Sequence, residues 1–351
     1  MNLFGQPMLQ SRWILWGYIA MLFLVGLWPM NFFLKNGATL DDKTGLIIAP
    51  PSAVFTTILP QNLHNLREFT IFMDVSSRFS GSKGFGNIFA YASEYEHINF
   101  MVGQWKNGIV LRIRQAKNPV LIHFGKKNVF YDEKPSRFAF VYDGNTLTLY
   151  HNGRKSAHRR TGVMNFSKWE RSYPLVIGSD ASGRSPWRGT IRTIAIFPKA
   201  LPEHTVRGLP AGIAELSPLI YYPFKKNGRQ NSEEQSMGTQ AYLRIPPDFT
   251  PYRRAFLNFS FTELKRFPRD LTDIIINILG FIPLGFLLAL QMFRKDASAK
   301  RFFFIAVFIG FSISFAIETS QAFIFDRSSS LIDLCNNTLG SAVGVLAAHL
   351  Q

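Results

Sequence analysis

Three apolar stretches near the C-terminus are each broken by a polar pair: Asp273 with Asn277, Glu318 with Gln321, and Asp333 with Asn337. Residues three or four apart share one helix face, so each pair marks a polar face on its own helix. A carboxylate near the centre of a lipid-embedded helix costs about 2.5–3.5 kcal/mol, which turns such groups toward the bundle interior and toward partners. Arg327, in the loop Asp326-Arg327-Ser-Ser-Ser330, is the expected charge partner of Glu318. The spacing predicts one converging cluster of Asp273, Asn277, Glu318, Gln321, Arg327, Asp333 and Asn337. Such a cluster can bind a lipid headgroup or a lipid-linked glycan. Glu318 with Asp333 or Asp273 could also serve as acid and base if their environments separate their pKa values. The plainer alternative is a polar network that only orients three helices.

Other chemistry finds little support. His349 is the one histidine in these stretches, and the chain has no H-E-x-x-H, no G-x-S-x-G and no phosphate-binding glycine loop. No catalytic residue, metal ligand set or cofactor is assigned. These absences rank binding first and an enzyme acting on lipid-linked cell-envelope substrates second. Transport of a lipid-linked sugar ranks third, because four spans without a repeat leave little room for alternating access.

The elements that must position the cluster are membrane spans. Residues 13–34 form a charge-free run close to the roughly 20 residues that cross the hydrocarbon core. It is longer than a signal-peptide core and lacks a clear A-x-A site, which favours an uncleaved anchor. Further spans are expected at 271–293, 302–325 and 331–350, which places Glu318 about 10 Å from the end of its helix. Gly340 and Gly344, in G-x-x-x-G spacing, are read as close-packing positions. Arg294, Lys295, Lys300 and Arg301 outnumber Asp296 in the short loop between the second and third spans, the bias of a cytoplasmic loop. Both termini are then cytoplasmic, residues 36–268 are outside, and the chain is a multi-pass protein of the bacterial inner membrane.

Composition agrees with a chain of two unlike modules. Aromatics make up 15% of the 351 residues, with 34 Phe, while charged residues make up only 18%. The single cysteine, Cys335, excludes an intramolecular disulfide. A net charge of +16 spread along an external domain points to anionic lipid or acidic envelope polymers rather than nucleic acid.

From Phe69 to Val206 the pattern is short β-rich runs between turn signals. Residues 69–75 read as a strand. Residues 137–142 and 146–150 read as two more, with Asp143-Gly144 between them and Asn152-Gly153 after them as type I′ hairpin turns. The stretch FAFVYDGNTLTLYHNGRK, the later Leu175-Val-Ile-Gly-Ser179 and the closing run at residues 187–201 resemble the laminin-G-like, concanavalin-A-like family. The resemblance implies a two-sheet jelly roll that binds glycans or protein partners, sometimes with calcium. Asp132, Glu133, Asp143 and Asp180 are the available acids, and no dense acidic loop favours calcium. Trp105, Trp169, Trp187, Tyr91, Tyr95, Arg184 and Arg188 could stack on a ligand, although most of the aromatics are expected in the core.

The run D-x-x-x-N-I-L-G-F-I-P-L-G at 273–285, E-x-x-Q at 318–321 and R-S-S-S-L-I-D-x-x-x-N-x-x-G at 327–340 resemble the VanZ-like membrane family. Trp28-Pro-Met-Asn-Phe32 looks like that family's first-helix ending. The resemblance implies a few transmembrane helices and, through the factor that names the family, a link to teicoplanin resistance. The expected fold is therefore mixed: a four-helix transmembrane VanZ-like unit with an inserted extracytoplasmic all-β jelly-roll sandwich. The expected boundaries are 1–35 for the N-terminus and first helix, 36–210 for the sandwich, 211–268 for a linker and 269–351 for the VanZ-like part.

Overall fold

The computed structural model describes residues 5–56, 61–78, 84–93, 97–116, 121–183, 185–224, 243–254, 256–258, 269–292, 299–325 and 327–350. The chain divides into two compact units, Phe33–Arg253 and Met1–Phe32 with Arg254–Gln351.

The first unit is a β-sandwich. Its strands are β1 Ala38–Asp41, β2 Gly45–Ile48, β3 Val54–Thr56, β4 Phe69–Ser77, β5 Phe85–Ala92, β6 Ile98–Trp105 and β7 Gly108–Arg114. They continue as β8 Leu121–Lys126, β9 Ser136–Tyr142, β10 Thr146–His151, β11 Arg154–Arg160, β12 Leu175–Ile177, β13 Gly189–Phe197 and β14 Ile220–Pro223. One sheet has the order β1-β2-β13-β4-β9-β10-β11, with β14 also paired to β13, and the other runs β3-β12-β5-β6-β7-β8. All of the paired strands are antiparallel, so one face of each sheet can be apolar and the other polar.

Alternation places Phe69, Ile71, Met73 and Val75 of β4 against Phe89 and Tyr91 of β5 in one core between the sheets. Each fully buried large side chain contributes about 1.5–3 kcal/mol. The polar tips of two of the large side chains are satisfied: Trp187 Nε1 donates to Gln104 Oε1 at 3.0 Å, and Tyr142 Oη donates to Gly162 O and accepts from Met164 N. A second cluster lies on the opposite face of the first sheet. There Phe72, Val141 and Phe197 are covered by Val206, in the helix α2 Glu203–Gly208, and by Leu201 and Leu209.

The two turn signals resolve differently. Asn152 and Gly153 have φ of 50° and 76° and join His151 to Arg154 as a two-residue hairpin, the expected geometry. At Asp143-Gly144 only the glycine has positive φ, and the Asp143 carboxylate accepts from the N–H groups of Asn145 and Thr146. That loop is an Asx turn, because a short carboxylate can cap the turn itself. Strand β11 lies at the edge of its sheet and exposes Arg154, Lys155, Arg159 and Arg160, charges that protect an open edge from pairing with another chain. Strand β14 falls in the stretch expected as a linker.

The second unit contains α1 Gly5–Leu27, α3 Arg269–Met292, α4 Ala299–Gln321 and α5 Leu331–His349. Three of them, within α3, α4 and α5, are long and apolar enough to cross a membrane, whereas α1 offers the shorter apolar helix Arg12–Leu27. The first span is therefore shorter than the expected 13–34. The helix stops at Leu27 because Pro29 disfavours the α conformation at Trp28 and cannot donate to the helix ladder. Helices α3 and α5 meet backbone to backbone at Gly285, Gly340 and Gly344. A Cβ on Gly344 would lie 2.0 Å from Ile282 O, and one on Gly340 would lie 2.3 Å from Ile278 O. The G-x-x-x-G spacing works here as small residues do between membrane helices.

Candidate functional site

The site begins at the N-terminus of α5. Ser330 is the N-cap, in extended conformation, and its hydroxyl accepts from the N–H of Asp333. Ser330-x-x-Asp333 has the spacing of a capping box, in which the third helical residue returns its carboxylate to the N-cap N–H. Here Glu318 of α4 takes that role: its Oε2 accepts from Ser330 N at 2.7 Å. The Asp333 carboxylate is thereby left to accept from Asn277 Nδ2 of α3 at 2.7 Å. One turn further along α5, Asn337 Nδ2 donates to Ser314 Oγ of α4 at 3.0 Å. Three helices are thus tied at one level.

Helix α1 joins through its C-terminal carbonyls, which have no partner within the helix. Gln321 Nε2 donates to Gly26 O at 2.8 Å, and Arg327 donates through Nε to Trp28 O at 2.9 Å and more weakly to Val25 O at 3.5 Å. The expected pairing of Arg327 with Glu318 is not formed. The end of α1 offers the guanidinium bare carbonyl oxygens, while the Glu318 carboxylate is already held at the α5 cap. Tyr18 Oη adds a bond from α1 to Gly280 O of α3 at 2.8 Å.

All seven predicted residues line one cavity of about 420 Å³. Glu318 and Asn337 are buried, 2% and 5% exposed, whereas Asp273 and Arg327 are exposed at the rim. Helix α4 ends at Gln321, so Glu318 lies three residues, or about 4.5 Å, from its end instead of the expected 10 Å. Asp273 is likewise four residues into α3, and Asp333 is two residues past the start of α5. Every charged group of the cavity therefore sits within about one and a half turns of a helix end. Reading the residues alone missed Ser330, Ser314 and the α1 carbonyls. The capping-box spacing at Ser330 was the available signal for the first, and no sequence signal marks the others.

In the sandwich, Trp187, Tyr91 and Trp169 belong to the core, while Trp105 is half exposed and Arg188 is exposed. Tyr95 and Arg184 lie outside the described residues, as do Arg294, Lys295, Asp296 and Asp326. The acids weighed for calcium have local partners: Asp132 pairs with Lys134, Glu133 with Arg78, and Asp180 accepts from Ser182 and Ser185. Among the described residues no group of three or more His, Cys, Asp or Glu is placed to hold a metal ion.

Fold and cavity together define a helical membrane protein that carries a two-sheet β-sandwich. The VanZ/LLP1 family model matches residues 216–351, and the concanavalin A-like lectin/glucanases superfamily model of laminin-G type matches residues 58–207. The chain thus carries a VanZ-like region and a laminin-G-type, concanavalin-A-like region. Among proteins of curated function, none matches it.

Solved structures resemble the sandwich in fold alone. The CBM40 of a Ruminococcus gnavus IT-sialidase, bound to alpha2,3 sialyllactose, is 10% identical with a TM-score of 0.38, and the match covers 50% of this chain and 97% of that one. A candidate carbohydrate-binding protein from Bacteroides ovatus is 14% identical with a TM-score of 0.47, with 60% and 59% covered. The NanB sialidase from Streptococcus pneumoniae is 17% identical with a TM-score of 0.39, with 47% of this chain and 27% of that one covered.

Proposed function

We propose that this protein resides in a bacterial inner membrane with its sandwich outside, and that the helical cavity binds the polar part of a lipid, either a headgroup or a lipid-linked glycan. The observation that carries the reading is the convergence of seven polar side chains from three helices and one loop on a single cavity near the helix ends. At that depth a site meets headgroups, whereas the substrate sites of transporters lie near the bilayer midplane. The carboxylates of Glu318 and Asp333 are engaged as hydrogen-bond acceptors, which suits binding better than proton transfer. The sandwich would then hold an envelope glycan or a partner protein on the outer side of the membrane. A contribution to teicoplanin resistance fits a protein that handles envelope lipids or their glycans at that face.

The test is lipid analysis of the protein extracted in mild detergent, wild type against Glu318→Gln. Wild type should retain a defined lipid that the variant loses. Absence of any retained lipid from both would refute the reading.

A further inference from the structure

The hydrogen-bonding balance of the cavity narrows the ligand, given the reading above that it takes a lipid headgroup. Each side-chain amide of the lining turns one N–H onto the protein, as does the Arg327 Nε. Asn277 Nδ2 is on Asp333, Asn337 Nδ2 is on Ser314, Gln321 Nε2 is on Gly26 O and Arg327 Nε is on Trp28 O. What remains is rich in acceptors. Among the described residues, Asn337 Oδ1 is buried without a partner, Asp273 makes no hydrogen bond or ion pair, and Glu318 uses only one carboxylate oxygen. A buried unpaired acceptor is costly, so the missing partner is a donor.

Charge points the same way. Among the described lining residues Asp273, Glu318 and Asp333 stand against one guanidinium, so the cavity favours a cation over an anion. At the rim, Arg327 keeps N–H groups beyond those given to Trp28 and Val25, and an anionic oxygen can meet them. The cavity thus has a buried, acceptor-lined floor at Glu318 and Asn337 and a rim that carries both Arg327 and Asp273. Among the described residues Phe281 is the single aromatic ring in the lining, and they form no aromatic cage for a quaternary ammonium.

We propose that the cavity selects an aminoalkyl phosphodiester headgroup of the phosphoethanolamine kind. Its primary ammonium donates to Asn337 Oδ1 and Glu318, with the Asp273 carboxylate at the rim adding attraction, and its phosphate lies at Arg327. A choline headgroup has no N–H to give Asn337, and a glycerol headgroup brings no positive charge to the three carboxyl groups.

The full chain in detergent, titrated with phosphatidylethanolamine, phosphatidylcholine or phosphatidylglycerol and followed by native mass spectrometry, tests this. Phosphatidylethanolamine should bind at least about tenfold more tightly than the other two. Soluble glycerophosphoethanolamine should compete, which assigns the recognition to the headgroup rather than the acyl chains. Asp273→Asn, at an exposed position with no protein partner, should keep the helices packed and reduce that preference, and Asn337→Leu should abolish it. Equal binding of all three lipids would overturn the selectivity while leaving the headgroup reading intact, whereas no binding of any lipid would remove both. A full preference retained in both variants would place the recognition elsewhere and overturn the inference.

Discussion

Glu318 accepts the backbone N–H of Ser330 at 2.7 Å, so a carboxylate from α4 completes the N-terminal cap of α5. This contact exchanges roles with the local capping residue and frees Asp333 for Asn277. Ser330→Ala should lower stability by about 1 kcal/mol, the usual cost of an N-cap. Glu318→Ala should cost about 1.5–3 kcal/mol through loss of a charge-assisted bond. The two losses should be coupled, with the double variant less destabilised than the sum, in thermal unfolding followed in detergent. Strict additivity would mean that the contact does not organise the cap.

Arg327 and Gln321 hold the carbonyl end of α1 rather than a carboxylate. Arg327→Ala should therefore show no coupling with Glu318→Ala beyond about 0.5 kcal/mol, whereas Arg327→Ala and Gln321→Ala should both loosen α1. Limited proteolysis after Leu27 is the readout, with faster cleavage expected in both variants.

At Gly344 the backbones of α3 and α5 are too close for a side chain. Gly344→Ala should cost about 1–3 kcal/mol and Gly344→Leu more, since overpacking must push the helices apart. Gly280, whose Cβ would meet nothing within 4 Å, is the control, and Gly280→Ala should be near neutral. Equal melting temperatures for the Gly344 and Gly280 variants would contradict the close approach.

Residues 33–253 should fold alone as an all-β domain in either reducing or oxidising buffer, whereas a piece ending at 210 would lack β14 and be less stable. Its stability should depend on pH through His64, whose pKa is lowered by burial and then by Arg171. The folded domain therefore binds a proton less readily than the unfolded chain, whose imidazole titrates near about 6.5. Stability should be constant above that value and fall as pH drops through it toward the folded pKa. Denaturant midpoints between about pH 7 and 5 measure this, and His64→Phe should reduce the slope, leaving the share of His123 and His151, which burial lowers in the same way.

For orientation, Cys335 is replaced by serine and single cysteines are placed at Lys155, on exposed β11, and at Ala297. An impermeant thiol reagent applied to whole cells should label position 155 and spare 297. The reverse pattern would invert the topology.

Local chemistry alone made much of this protein legible. Three of the apolar runs near the length of a bilayer, the polar pairs three and four apart and the Asn152-Gly153 turn are short-range properties found where the residues put them, whereas the first apolar run ends as a helix at Leu27. Tertiary structure decided the pairings. Arg327 turned from the expected Glu318 to the carbonyls of Val25 and Trp28, residues 302 and 299 positions away that no local pattern could bring near. Glu318 went to Ser330, and the depth of the site followed from where α4 ends, at Gln321. Spacing along a helix determines which residues share a face. Only packing sets the rotation and height of one helix against the next, and hydrogen bonds, which act over about 3 Å, follow from that placement.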